Sequence, residues 1–184
     1  NETLDSARAD AFKSKILDFE AGTLDLLISK RSKGVPVVTV IKLDYSFGGD
    51  AIVVSKDIKT IQELKGKEIS FVKDNASDTF LSYVLKENGM SFEDIIIDSK
   101  APDQVLESFL NKDSVAVVTW EPWVSKALEG RAGSHVLVST KEIPDLIIDT
   151  LNVREDLIEN KPELVKKVMR AWFKAIEYYK ANSI

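Results

Sequence analysis

The sequence has 184 residues, 44% of them hydrophobic and 30% charged, with a net charge of −5 and no cysteine. That length can bury a sizeable core as one or two domains. The acidic balance argues against a phosphate-backbone binder, so no nucleic-acid partner is expected. The lack of cysteine excludes disulfides, thiol catalysis and cysteine-ligated metals.

No apolar run approaches the roughly 18 residues that span a bilayer. The opening Asn-Glu-Thr-Leu-Asp lacks a charged or apolar leader pattern. An export signal is therefore expected to have been removed or never to have been present.

In chain order, residues 19–34 read as a tight turn and then a helix, with Thr23 as N-cap and Gly34 at its end. Residues 35–43 are rich in β-branched side chains and predict a strand, followed by the turn-like DYSFGGD at 44–50. A second strand is expected at 51–55, a short helix at 60–66 and a strand at 68–72. The polar loop KDNASD at 73–78 leads into a helix with Phe80, Leu81, Val84 and Leu85 on one face.

A strand at 94–98 precedes a helix opened by Pro102, which points Val105, Leu106, Phe109 and Leu110 inward. VAVVTW at 115–120 predicts a buried strand and 122–130 a helix. Strands are expected at 135–139 and 146–153. A last helix is predicted to start on an Asn160–Glu163 capping box and to bury Leu164, Val168, Trp172, Ala175 and Tyr179.

Strands alternating with helices predict βαβ units, a mostly parallel sheet and an α/β fold. Ligands bind beyond the carboxyl ends of strands in such sheets. The loops at 20–23, 73–78 and 119–123 fall at such ends, and 44–50 joins two strands.

Each loop has two readings. Gly22 and Thr23 serve either a turn and cap or a ligand. Gly48 and Gly49 allow either a positive-φ turn or close approach to a ligand, with Tyr45, Ser46 and Asp50 around it. Asn75, Ser77 or Asp78 caps a helix, and the remaining polar groups there, Thr79 included, are candidates for contact with an anionic group. Trp120 and Trp123 are either core or flat walls for a ligand. Glu121, a carboxylate at the end of a buried strand, needs a helix N-terminus, water or a ligand.

Catalysis finds little support. His135 is the only histidine and no serine lies in a G-x-S-x-G elbow. Neither phosphate-loop nor metal-ligand spacings occur. No catalytic residue, metal or cofactor is expected.

Read in order, 12-FKSKILDFEAGTLD-25, 43-LDYSFGGDAIVV-54, 62-QELKGKEISF-71, 115-VAVVTWEPWVSKALEG-130, 142-EIPDLIIDTLNVRED-156 and 162-PELVKKVMRAWFKAIEYYKAN-182 resemble the solute-binding proteins of ABC importers. The resemblance is to the sulfonate/nitrate/taurine-like group, which also includes thiamine-precursor binders. It covers nearly the whole chain as a middle section of such proteins, with part of the first lobe absent.

The resemblance implies a periplasmic-binding fold of the second type, with two α/β lobes joined by hinge strands and a ligand in the cleft. The first lobe is expected over 1–56 and 147–184, and the second over 57–146. By position, Gly22, Thr23 and the loop from Asp44 to Asp50 would line the first lobe, with Asp149 near the returning hinge strand. Asn75 to Thr79 and Trp120 to Trp123 would line the second. Lys15 stands where relatives commonly carry glycine, for no reason visible in the sequence.

The implied function is non-enzymatic: capture of a small polar organic solute outside the cytoplasm, for delivery to an ABC permease. The location would be periplasmic or extracellular, membrane-associated if the parent is a lipoprotein. Asp44, Asp50, Glu121 and Asp149 against only Lys73 favour an amine-bearing or zwitterionic solute or a flat heterocycle over a bare anion. A sensory domain and a thiamine-pyrimidine biosynthesis enzyme share the fold and stand as alternatives. An incomplete lobe would expose apolar surface, which a dimer would cover.

Overall fold

A computed structural model describes residues 4–182. The opening Asn-Glu-Thr and the outermost parts of the expected first lobe, 1–3 and 183–184, lie outside the described residues. In chain order the elements are α1 (Leu4–Lys13), β1 (Phe19–Thr23), α2 (Leu24–Ser32), β2 (Val37–Tyr45), β3 (Asp50–Val54), β4 (Glu68–Phe71), α3 (Ala76–Glu87) and β5 (Ile96–Ser99). They continue with α4 (Pro102–Leu110), β6 (Ala116–Trp120), α5 (Trp123–Gly130), β7 (His135–Ser139), β8 (Ile148–Arg154), α6 (Glu155–Asn160) and α7 (Pro162–Asn182). The chain divides into unit 1, up to Asp44 and again from Ile148, and unit 2, Tyr45–Ile147.

Unit 2 is built on a five-stranded sheet of order β5-β4-β6-β3-β7. Residues of β3 alternate between two cores, because successive side chains of a strand point to opposite faces. Ile52 and Val54 pack with Phe80, Leu81, Val84 and Leu85 of α3. Ala51 and Val53 pack with Val105, Leu106 and Phe109 of α4 and with Val124 and Ala127 of α5. Covered on both faces, the strand reads as a continuous apolar run rather than an alternation. Each fully buried Val, Leu, Ile or Phe contributes about 1.5–3 kcal/mol.

Three expectations change here. β4 runs parallel to β5 and β6, but β3 runs antiparallel to both β6 and β7. An apolar pattern records burial and carries no strand direction. The expected first lobe took in residues 45–56, yet β3 lies inside the five-stranded sheet of unit 2. The short helix expected at 60–66 is a single 3₁₀ turn, Ile61–Leu64.

Near the edge of this sheet, the Ser70 hydroxyl donates to Asp98 Oδ2 (2.6 Å), and Lys100 Nζ pairs with Oδ1 (2.9 Å). Burial alone would raise the Asp98 pKa, but the Ser70, Lys100 and Ser108 hydrogen bonds outweigh it and hold the carboxyl below the usual aspartate range. A depressed carboxylate contributes stability that is complete above the unfolded value of about 3.9. That stability disappears as pH falls through the lower folded value. Urea midpoints measured from pH 6 downward are expected to fall in this window, less steeply in Ser70→Ala.

Unit 1 holds a three-stranded sheet of order β1-β8-β2. β1 pairs antiparallel with β8, from Phe19 opposite Val153 to Thr23 opposite Asp149. The stretch expected as a tight turn is therefore a strand: Gly22 and Thr23 weaken its local signal, and pairing with β8 decides. Phe19, Val38, Val40 and Val153 pack with Leu157, Val165 and Met169 on one face. Phe12, Leu27, Val35 and Val37 form a second cluster.

The expected capping box does not form. The Asn160 amide donates back to Asp156 O (2.8 Å) to close α6, and Glu163 pairs with Lys166 (2.9 Å). Nor is the apolar stripe of α7 buried as expected. Val165 is its one buried residue, while Leu164, Trp172, Phe173, Tyr178 and Tyr179 are exposed.

Lys15 adopts φ +63°, in the left-handed region that glycine occupies without cost. A glycine expected at this position would suit that conformation; Lys15 Nζ here pairs with Asp156 Oδ2 at 3.1 Å.

Candidate functional site

The carboxyl ends of β4, β6 and β7 and the start of β3 lie at one pole of unit 2, because β3 runs against its neighbours. Three of the expected loops meet there. Asp50 stands opposite Trp120, and the Glu121 N–H donates to Gly49 O (2.8 Å), joining the 46–50 loop to the β6–α5 turn.

The 46–50 loop is organised by a residue that sequence reasoning missed. Thr140 is fully buried. Its Oγ1 lies 2.8 Å from Ser46 Oγ and accepts from the Gly48 N–H (2.9 Å) and the Asp50 N–H (3.3 Å). Asp50 N–H also donates to Ser46 Oγ at 3.2 Å. Gly48 takes φ +86°, so the turn reading of the glycine pair is realised. A lone threonine after a strand gives no local signal of this role.

Glu121 is exposed, and both its oxygens are engaged with Ser125: Oε2 accepts the N–H (3.2 Å) and Oε1 the hydroxyl (3.0 Å). The carboxylate thus caps the first turn of α5. Trp120 and Trp123 are half-buried, and Lys126 Nζ sits 4.3 Å from the Trp123 ring centroid. Asn75 is the N-cap of α3, accepting from the Ser77 N–H at 2.8 Å. Ser77 is 1% exposed and its hydroxyl is enclosed, without a partner among the described residues. Thr79 is half-buried on the first turns of the same helix.

In unit 1, Gly22, Thr23 and Asp149 lie on the paired ends of β1 and β8 and are half-buried, and Asp44 is exposed near the end of β2. The Thr150 hydroxyl donates to Gly22 O (2.8 Å). One face of this sheet carries a buried polar cluster that the sequence did not announce. Glu20 Oε1 pairs with Lys30 Nζ at 2.6 Å, and Asn152 Oδ1 accepts from Thr39 Oγ1 (2.8 Å) and lies 3.0 Å from Thr150 Oγ1.

The charge count at the unit 2 pole also changes. Exposed Lys126 follows Trp123, and Lys141 packs its Cβ beside Gly48, so Lys73 does not stand alone as a cation. Among the described residues no group of three or more His, Asp or Glu could hold a metal ion, and no helix is long and apolar enough to cross a membrane.

Residues 12–183 match the profile of the family described as NMT1/THI5 like. The chain belongs to the NMT1/THI5-like family. A Brucella abortus protein named as a candidate binding protein is 24% identical over 163 residues, covering 88% of this NMT1/THI5-like chain and 49% of that protein. The periplasmic aliphatic sulphonate binding protein SsuA from Escherichia coli superposes with a TM-score of 0.83 at 20% identity, over 96% of this chain and 57% of SsuA. The NMT1/THI5-like chain thus has the α/β fold of type II periplasmic binding proteins, as expected, and spans about half the length of the relatives it matches. An SsuA from Xanthomonas axonopodis bound to MOPS matches with a TM-score of 0.80 at 19% identity, over 95% of this chain and 61% of that one. Enzymes share the fold too: the desulfurization enzyme DSZB matches with a TM-score of 0.63 at 14% identity, over 90% of this chain and 63% of that one.

Proposed function

We propose that this chain belongs to an extracytoplasmic solute-binding protein that captures a small polar organic solute and delivers it to an ABC permease. The observation that carries the reading is the superposition on SsuA over nearly the whole chain, with polar loops gathered at one strand-end pole.

The solute class follows from charge. The unit 2 pole offers Glu121 and Asp50 together with Lys126 and Lys141, so both signs are present. A zwitterion or a sulfonate bearing a polar second group matches this better than a simple cation. In unit 2 the proposed contacts are Tyr45, Ser46, Asp50, Trp120, Glu121 and Trp123, with Asn75, Ser77 and Thr79 at the α3 N-terminus; in unit 1 they are Gly22, Thr23, Asp44 and Asp149.

A thermal-shift screen against taurine, alkanesulfonates, nitrate, alkylamines, amino acids and pyrimidines tests this. A solute at about 100 times its dissociation constant stabilises the native state by roughly 2.7 kcal/mol. A shift with taurine or an alkanesulfonate is the expected result. No shift with any member of the panel, from a folded sample, would refute the reading.

A further inference from the structure

Phe47 is 60% exposed, the most of any large apolar residue described in unit 2, and Tyr45 beside it is 43% exposed. The two rings meet edge to face, with centroids 6.3 Å apart and planes at 79°. Both belong to the segment that enters β3 at the strand-end pole.

Chain slack does not account for this exposure. Ser46 N–H donates to Ile147 O (2.9 Å), Gly48 N–H to Thr140 Oγ1 (2.9 Å), and Gly49 O accepts from Glu121 N–H (2.8 Å). The residues on both sides of Phe47 are thus fixed, and the ring is held out into solvent by a backbone with little freedom to withdraw it. An aromatic ring kept in water gives up the stabilisation its burial would bring. A solute that covers the ring would restore it. The same loop lies beside Lys141 and Glu121, which supply charge for a polar head group.

We propose that Phe47, with Tyr45, forms an apolar wall against the hydrocarbon part of the solute, and that Phe47 sets which alkyl or aryl group is accepted. The inference rests on the solute-binding reading above and narrows it to small amphiphiles: a charged head on an apolar tail. The sequence pattern did not single out Phe47.

Isothermal titration with two homologous series tests it: methane- to hexanesulfonate, and methylamine to hexylamine. In the wild-type protein the series that binds is expected to gain about three- to four-fold in affinity per methylene that reaches the wall. Phe47→Ala should flatten the gain below about two-fold while leaving the shortest member unchanged. Tyr83→Ala, which removes an exposed aromatic on α3, should keep the wild-type slope. An unchanged slope in Phe47→Ala, or a wild-type protein that binds without any slope, overturns the wall and leaves solute binding intact. Failure of every member of both series, with binding of taurine, an amino acid or a pyrimidine, overturns the wall alone; failure of the whole panel overturns the solute-binding reading and this inference with it.

Discussion

Lys30→Met is expected to destabilise the protein by about 3–5 kcal/mol, read from urea denaturation, because it strands a buried carboxylate. Glu20 and Lys30 side chains are 5% and 3% exposed, with 2.6 Å between Oε1 and Nζ. Glu20 Oε2 is also enclosed, with no hydrogen-bond partner among the described residues, so the lysine is the group that compensates this charge. Removing one member of a buried pair leaves the other without solvation. Removing both avoids that penalty, so Glu20→Leu with Lys30→Met is expected to lie within about 1.5 kcal/mol of wild type. Against a total stability of about 5–15 kcal/mol, the single substitution threatens the folded state. A loss below about 1 kcal/mol would mean that water reaches the carboxylate.

Thr140→Val is the second large effect, expected at about 3 kcal/mol. The shape of the side chain is nearly kept, but its oxygen is lost and the Gly48 N–H at 2.9 Å loses its acceptor. An unsatisfied buried donor costs about 1–3 kcal/mol, and the Ser46 contact at 2.8 Å is lost as well. Thr140→Ser keeps the oxygen and is expected to stay within about 1 kcal/mol. Hydrogen exchange at Gly48 and Asp50 should accelerate in the valine variant alone. Binding of an alkanesulfonate identified by the screen should weaken about ten-fold, equivalent to 1.4 kcal/mol of lost loop order. Unchanged exchange at both amides would show that Thr140 does not hold the loop.

Much of unit 2 was legible because its signals are local. Pro102 supplied a first-turn residue with no N–H to satisfy, and Val105, Leu106 and Phe109 repeat at helical spacing and are buried. The run at 116–120 is apolar on both faces because helices cover both faces. The unread features arise over long separations. Thr140 acts on residues ninety or more positions earlier, and Asn152 accepts from Thr39, 113 positions earlier.

At the candidate site, residue types did not distinguish capping from contact. Glu121 and Asn75 both cap helices here, as polar residues at strand ends often do. The resemblance carried the family and the fold. Lys15 holds a left-handed φ that nothing local in the sequence announced.

Unit 2 is a single uninterrupted segment, whereas unit 1 is written in two pieces on either side of it. The ends of that segment are tied together, Ser46 N–H to Ile147 O at 2.9 Å. The ribosome therefore completes every strand of the five-stranded sheet before β8, the middle strand of the other sheet, has been made. β1 and β2 must wait through the synthesis of more than a hundred residues for the partner that lies between them. During translation the inserted unit can reach its native state first, while the three-stranded sheet still waits for its middle strand.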